Sequence, residues 1–167
     1  NRAPFSCTIS GWEIGVNNVR AKLPELNFAP GDYIVLTDRG NQSLFADTLA
    51  VVPLEKLPVL SNTGAELLLY NASGQLVHAV SYSDDWHANT LTRDGGYSLE
   101  MINPAEPCLQ LGNWTSSVDY TGGTPGRSNS VLRMKPARMK PELWRAALNH
   151  AGTVYLYFSE PLDSLSA

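Results

Sequence analysis

The chain has 167 residues, 43% of them apolar and only 17% charged, with a formal net charge of −4. That length allows one ordinary domain with an appendage, and the low charge fraction argues against disorder or a coiled coil. The acidic balance argues against capture of nucleic acid, and no apolar run approaches the roughly 18 residues of a membrane span.

In chain order, Trp12, Ile14 and Val16 alternate with other residues, Asn17-Asn18 offers a two-residue turn, and 19–23 returns, which predicts a β-hairpin. Pro30-Gly31 is a turn ahead of a strand over 33–37. Helical periodicity is weak, with a turn or two at most over 43–47 and 142–148. Segments 66–70 and 76–82 form a second hairpin around NASG, with His78 and Val80 on the face opposite Val77 and Ala79. Another strand, 97–102, follows the turn Asp94-Gly95-Gly96. After Val131 the sequence LRMKPARMKPELW carries Arg133, Lys135, Arg138 and Lys140 between prolines and reads as a linker rather than a binding arm. Beyond it, Val154, Leu156 and Phe158 alternate with Tyr155 and Tyr157, so the stretch from Thr153 to Ser159 reads as a strand with no domain of its own. The expected fold is all-β: an immunoglobulin-like β-sandwich over 1–132, followed over 133–167 by a linker and an orphan strand.

Cys7 and Cys108 are the only cysteines and lack the paired spacing of a zinc site. Two buried thiols is one reading. A disulfide is the preferred one and implies an oxidising compartment; closing so long a loop stabilises by about 4–5 kcal/mol in the chain-entropy model. The stretch GGTPGRS at 122–128 has the glycines of a phosphate loop but lacks the lysine of GxxxxGK, and Pro125-Gly126 opposes a helix start. GxGxxG and the βαβ pattern are missing too. The glycines instead suit a long connection in close passage over another strand.

A series of motifs carries a resemblance: SGW at 10–12, APGDYIVLT at 29–37, LSNTGAELLLYNASGQLVHAVSYSDDW at 60–86, GGYSLEMINP at 95–104, NWTSS at 113–117 and GGTPGRSNS at 122–130. Together they resemble the lamin tail domain, an immunoglobulin-like sandwich, in the form found in exported bacterial proteins. The likeness spans about residues 1 to 132. It implies a non-catalytic module, with no family catalytic residues to carry over, on an extracellular, periplasmic or cell-surface protein. On that resemblance, the family's strand before SGW is expected to be missing. FSEPLD is similar to the opening strand of bacterial immunoglobulin-like repeats, too short here to complete one. The chain begins at Asn1 without Met and reads as a piece of something longer.

Candidate chemistry is sparse. Asp84, Asp85 and His87 gather two carboxylates and an imidazole beside Trp86 and are weak candidates for a divalent cation, with Asp94 and Glu100 as the nearest helpers; a solvated loop is the preferred reading, and no cofactor is expected. His78 and His150 have no recognisable triad partner, and GxSxG is absent. Paired carboxylates for glycoside cleavage have no supporting signal beyond their presence. Trp12, Trp86 and Trp114 suit core packing, and the sequons at Asn41, Asn71 and Asn113 suit loops. The expected function is binding, anchoring or spacing, with a protein or envelope polysaccharide as partner. The alternative is an accessory domain of a cell-envelope hydrolase (nuclease, phosphatase or peptidase) whose catalytic part lies elsewhere. The unpaired strand 153–159 is expected to add to a sheet edge, its own or a neighbouring copy's, the latter giving a homodimer.

Overall fold

A computed structural model describes residues 1–107, 110–132, 143–148 and 154–158. The fold is all-β with little helix. Its principal sheet is four-stranded and antiparallel, built from β2 (Glu13–Val16), β3 (Val19–Lys22), β7 (Gly64–Tyr70) and β8 (Leu76–Ser83) in the order β3-β2-β7-β8. The β2–β3 turn works because Asn17 takes φ 51, a conformation Asn tolerates. Asn17 is also pinned to β7: its N–H donates to the Glu66 carbonyl at 2.9 Å and its side-chain oxygen accepts from the Glu66 N–H at 3.1 Å. The β7–β8 turn is held by Asn71, whose Oδ1 accepts from the N–H groups of Ser73 and Gln75, while Gly74 supplies φ 75.

Shorter pairs complete the fold. Strand β1 (Cys7–Ile9) pairs antiparallel with β4 (Leu26–Phe28), and β9 (Leu99–Met101) with β10 (Trp114–Ser116). Strands β5 (Val35–Asp38) and β6 (Val51–Leu54) run parallel, joined through a 3-10 turn at Arg39–Leu44. A second 3-10 turn, Asp84–Trp86, follows β8, and a single helical turn α1 (Thr90–Arg93) is capped by the Asn89 side chain, which accepts from the Thr92 N–H.

The period of two decides what is buried. Register places Val16, Leu67 and Val80 in a row across one face of the principal sheet, with Val16 and Val80 buried. Leu68, on the other face, is buried beside Gly15, over which Arg20 reaches to stack 3.7 Å from the centre of the Tyr70 ring. Leu23, Leu54, Ile102 and Val131 are buried as well, each burial worth about 1.5–3 kcal/mol of transfer energy. Among the described residues no helix is long and apolar enough to cross a membrane.

Several expectations are corrected. Strand β5 begins at Val35 rather than residue 33, because the Asp32 N–H still closes a turn onto the Ala29 carbonyl. The strand expected over 97–102 shortens to Leu99–Met101, since the Ser98 N–H is taken by the Gly122 carbonyl. The helical turn expected over 43–47 lies earlier, at Arg39–Leu44. The largest departure is at 142–148, expected to be helical. Residues Leu143–Leu148 form a strand, β11, paired antiparallel with β12 (Val154–Phe158) through Ala146↔Leu156 and Leu148↔Val154. Pairing with a strongly β-forming neighbour overrides the helical preference of Leu, Arg and Ala. The strand within 153–159 is therefore no orphan: its partner is the preceding segment of its own chain, not an edge of the principal sheet. A short strand, β1, precedes Ser10-Gly11-Trp12. The linker over 133–142 and the residues Thr153, Ser159 and 160–167 lie outside the described residues.

Candidate functional site

The loop after β8 collects most of the chemistry-bearing side chains. Ser83 caps the 3-10 turn Asp84–Trp86 by accepting from the Asp85 N–H, and that turn delivers Asp84, Asp85, Trp86 and His87 in sequence. Their side chains go to different partners. Asp84 accepts from the Ser83 hydroxyl at 3.4 Å, and Asp85 pairs with Arg93 of α1 at 3.3 Å, on the surface. His87 Nδ1 lies 2.8 Å from Ser116 Oγ on β10. The three cation candidates thus do not converge. Among the described residues no three His, Cys, Asp or Glu side chains form a group able to hold a metal.

The His87–Ser116 contact has the composition of a base and a nucleophile, so its proton placement matters. Ser116 is buried, and its oxygen also accepts from the Ala88 N–H at 3.0 Å while its own hydrogen goes to Thr92 Oγ1 at 2.8 Å. Assigned from this network, Nδ1 of His87 carries the hydrogen and donates to Ser116. Burial pushes the His87 pKa below its usual value and Arg93 acts the same way, against the opposing pull of Asp84, so the imidazole is neutral at pH 7. The serine's proton points away from the imidazole. Ser116 is thereby a clamp holding the loop to β10 and α1.

The motif GGTPGRSNS forms a crossing over β9. Gly122 is buried at φ 83, and a Cβ there would lie 1.8 Å from the Gly96 carbonyl oxygen, so only glycine passes. Its carbonyl accepts from the Ser98 N–H at 2.8 Å. Beneath the crossing sits Glu100, 4% exposed. Its Oε1 accepts from Thr124 Oγ1 at 2.7 Å, and its Oε2 accepts from the Ser130 N–H at 2.7 Å and the Ser130 hydroxyl at 2.8 Å. Burial pushes this carboxyl up, but the bonds from Thr124, Ser130 and Ser117 outweigh it and hold the pKa below the ordinary value. Asn129 donates to the Met101 carbonyl, and Val131 ends the crossing fully buried. At its start Asp119 accepts from Thr121 and pairs with Arg127 at 2.7 Å; those bonds, Thr121 first, lower its pKa to about 2.

NWTSS behaves the same way. Asn113 is fully buried, donating to the carbonyls of Asn103 and Glu106 and accepting from the Asn103 N–H, so this sequon asparagine has both amide hydrogens and its oxygen engaged. Trp86 and Trp114, both half-buried, meet with ring centres 6.3 Å apart at 31°. Trp12 is half-buried as well, and Trp114 Nε1 is a buried donor without an acceptor among the described residues. His78 lies half-buried on β8, while His150 falls outside the described residues. Cys7 sits half-buried on β1; Cys108, its expected disulfide partner, lies outside the described residues.

A cleft of about 470 Å³ is lined by Arg2, Pro30, Asp32, Tyr33, Asn129 and Leu132 among others. Its carboxylate, Asp32, accepts from the Ala29 N–H, and no His or Cys among the described residues lines it.

Glu100, expected only as a nearby helper for a cation, is instead buried. Parity points the other way: Glu100 stands between Leu99 and Met101 in a short strand, which reads as a solvent-facing position, and its burial follows from the dedicated donors that the covering segment supplies. No family model matches the chain, and neither a curated protein nor a solved structure does.

Proposed function

We propose that the chain is a non-catalytic immunoglobulin-like module of the lamin-tail kind that binds, anchors or spaces within an exported multidomain protein. The observation that carries this reading is where the motif side chains go. Glu100, Asn113, Ser116, Ser117, Thr124 and Ser130 all turn inward and bond to one another or to backbone. A catalytic constellation keeps a nucleophile, a base and a charge-stabilising donor facing a common point that substrate can reach. These motif residues instead join strands, turns and the crossing into one packed unit. The motifs behind the lamin-tail resemblance therefore read as a folding signature. Their partner-facing counterpart is the exposed surface, suited to a protein or envelope polysaccharide. The sandwich arrangement is supported by the short antiparallel strands and by Val131, which seals the crossing against the interior. Export rests on the expected pairing of Cys7 with Cys108, which the thiol titration below tests.

Turnover assays test the reading. Purified chain offered chromogenic phosphoesters, esters, peptides and glycosides is expected to give no rate above buffer. A rate that Asp85→Ala or His87→Ala abolishes, with the unfolding midpoint unchanged, overturns it. Unfolded without reductant, the same preparation is expected to titrate no free thiol; two free thiols remove the argument for export.

A further inference from the structure

The principal sheet has two edges, and they are defended differently. Exposed edges invite strand addition, and proteins blunt them with charges, prolines or coverings. Strand β3, VRAK, carries Arg20 and Lys22, both exposed. Strand β8, LVHAVSYS, has no Lys, Arg, Asp, Glu or Pro, and exposes Leu76 and Val77 by about half. Its outward backbone groups are met at the middle by one side chain. Gln110 Oε1 accepts from the Ser81 N–H at 3.1 Å, and Gln110 Nε2 donates to the Ala79 carbonyl at 3.0 Å. A primary amide making both bonds copies what a residue of an added strand would do.

We propose that Gln110 is a gate on the β8 edge, and that β12 of a second copy of this chain is the strand it keeps out. The occupant is argued from the hairpin β11–β12. A two-stranded hairpin is marginal without a third strand or a covering face. Strand β12, VYLYF, is uncharged and rich in β-forming residues, and among the described residues it is bonded on one side only, with Val154 and Leu156 more than half exposed. No like charge opposes its alignment beside β8. With the gate closed the chain is a monomer; with it open, β8 accepts β12 of a neighbour and the pair extends the sheet. The inference stands whether or not the module is catalytic.

Sedimentation of the full chain tests it. The wild type is expected at its monomer mass of 18.2 kDa. Gln110→Ala is expected to shift to twice that mass with concentration. Adding Ser81→Pro, which removes an outward N–H and no bond to β7, is expected to restore the monomer, as is adding Val154→Lys with Leu156→Lys. A Gln110→Ala chain that is folded by circular dichroism yet monomeric at every concentration overturns the proposal. A dimer that survives the proline denies the β8 edge its role, and one that survives the lysines denies β12 its role; either result overturns it. Hydrogen exchange on the wild type needs no variant: the Ser81 amide is expected to be protected more than tenfold over an unstructured amide, and free exchange there overturns the gate.

Discussion

Glu100 concentrates the physical argument at the scale of a single residue. A buried carboxylate is costly unless donors meet both oxygens, and here Thr124 and Ser130 supply three bonds from the covering segment. Among the described residues its carboxylate forms no ion pair, so every bond that holds the charge comes from a neutral donor. Replacing it by Gln turns one acceptor into a donor facing other donors, and is expected to lower stability at pH 7 by about 1.5–3 kcal/mol. The pH dependence has a definite sign. The folded pKa lies below the ordinary value of 4.5, so on acidification the unfolded chain takes up this proton first. The stabilisation is complete above that ordinary value and is lost as pH falls through the folded pKa. Urea unfolding of wild type and Glu100→Gln from neutral pH downward should therefore show two curves converging in acid. Asp119, held at a pKa of about 2, titrates in both chains and cancels in the difference. Curves that stay parallel would contradict the assignment.

At the scale of elements, local punctuation was legible and partnership was not. Asn17-Asn18 and NASG predicted two hairpins with nearly the observed ends, because a turn residue acts through its own φ and its own hydrogen bonds. GGTPGRSNS was legible as a crossing for the same reason. Strand β11 was not, since nothing inside LWRAAL reveals that VYLYF lies opposite. The clasp of Gln110 on β8, 29 and 31 residues away in sequence, has no local signal either. Two glycines separate backbone preference from close passage. Gly74 and Gly122 both hold positive φ, at 75 and 83, but a Cβ meets nothing at Gly74 and the Gly96 carbonyl at Gly122. Gly74→Ala is expected to cost about 1–2 kcal/mol, the left-handed penalty alone. Gly122→Ala adds a backbone collision and is expected to cost about 4 kcal/mol or more. Equal losses in chemical denaturation would show that the crossing is not tight.

For the molecule as a whole, the all-β class followed from alternation, frequent turns and weak helical periodicity, which are properties of the sequence taken segment by segment. The candidate site was less legible because its meaning depends on where each side chain ends. Asp84, Asp85 and His87 are neighbours in sequence, yet their side chains part toward Ser83, Arg93 and Ser116. Ser130 and Glu100 are thirty residues apart, yet share two hydrogen bonds. The central claim is that such motif residues act as one structural network. A double-mutant cycle on Glu100→Gln and Ser130→Ala, read by urea denaturation at pH 7, tests it most directly. Residues in one buried network are expected to couple by about 1–2 kcal/mol. Additive losses, with a coupling near zero, would contradict the network.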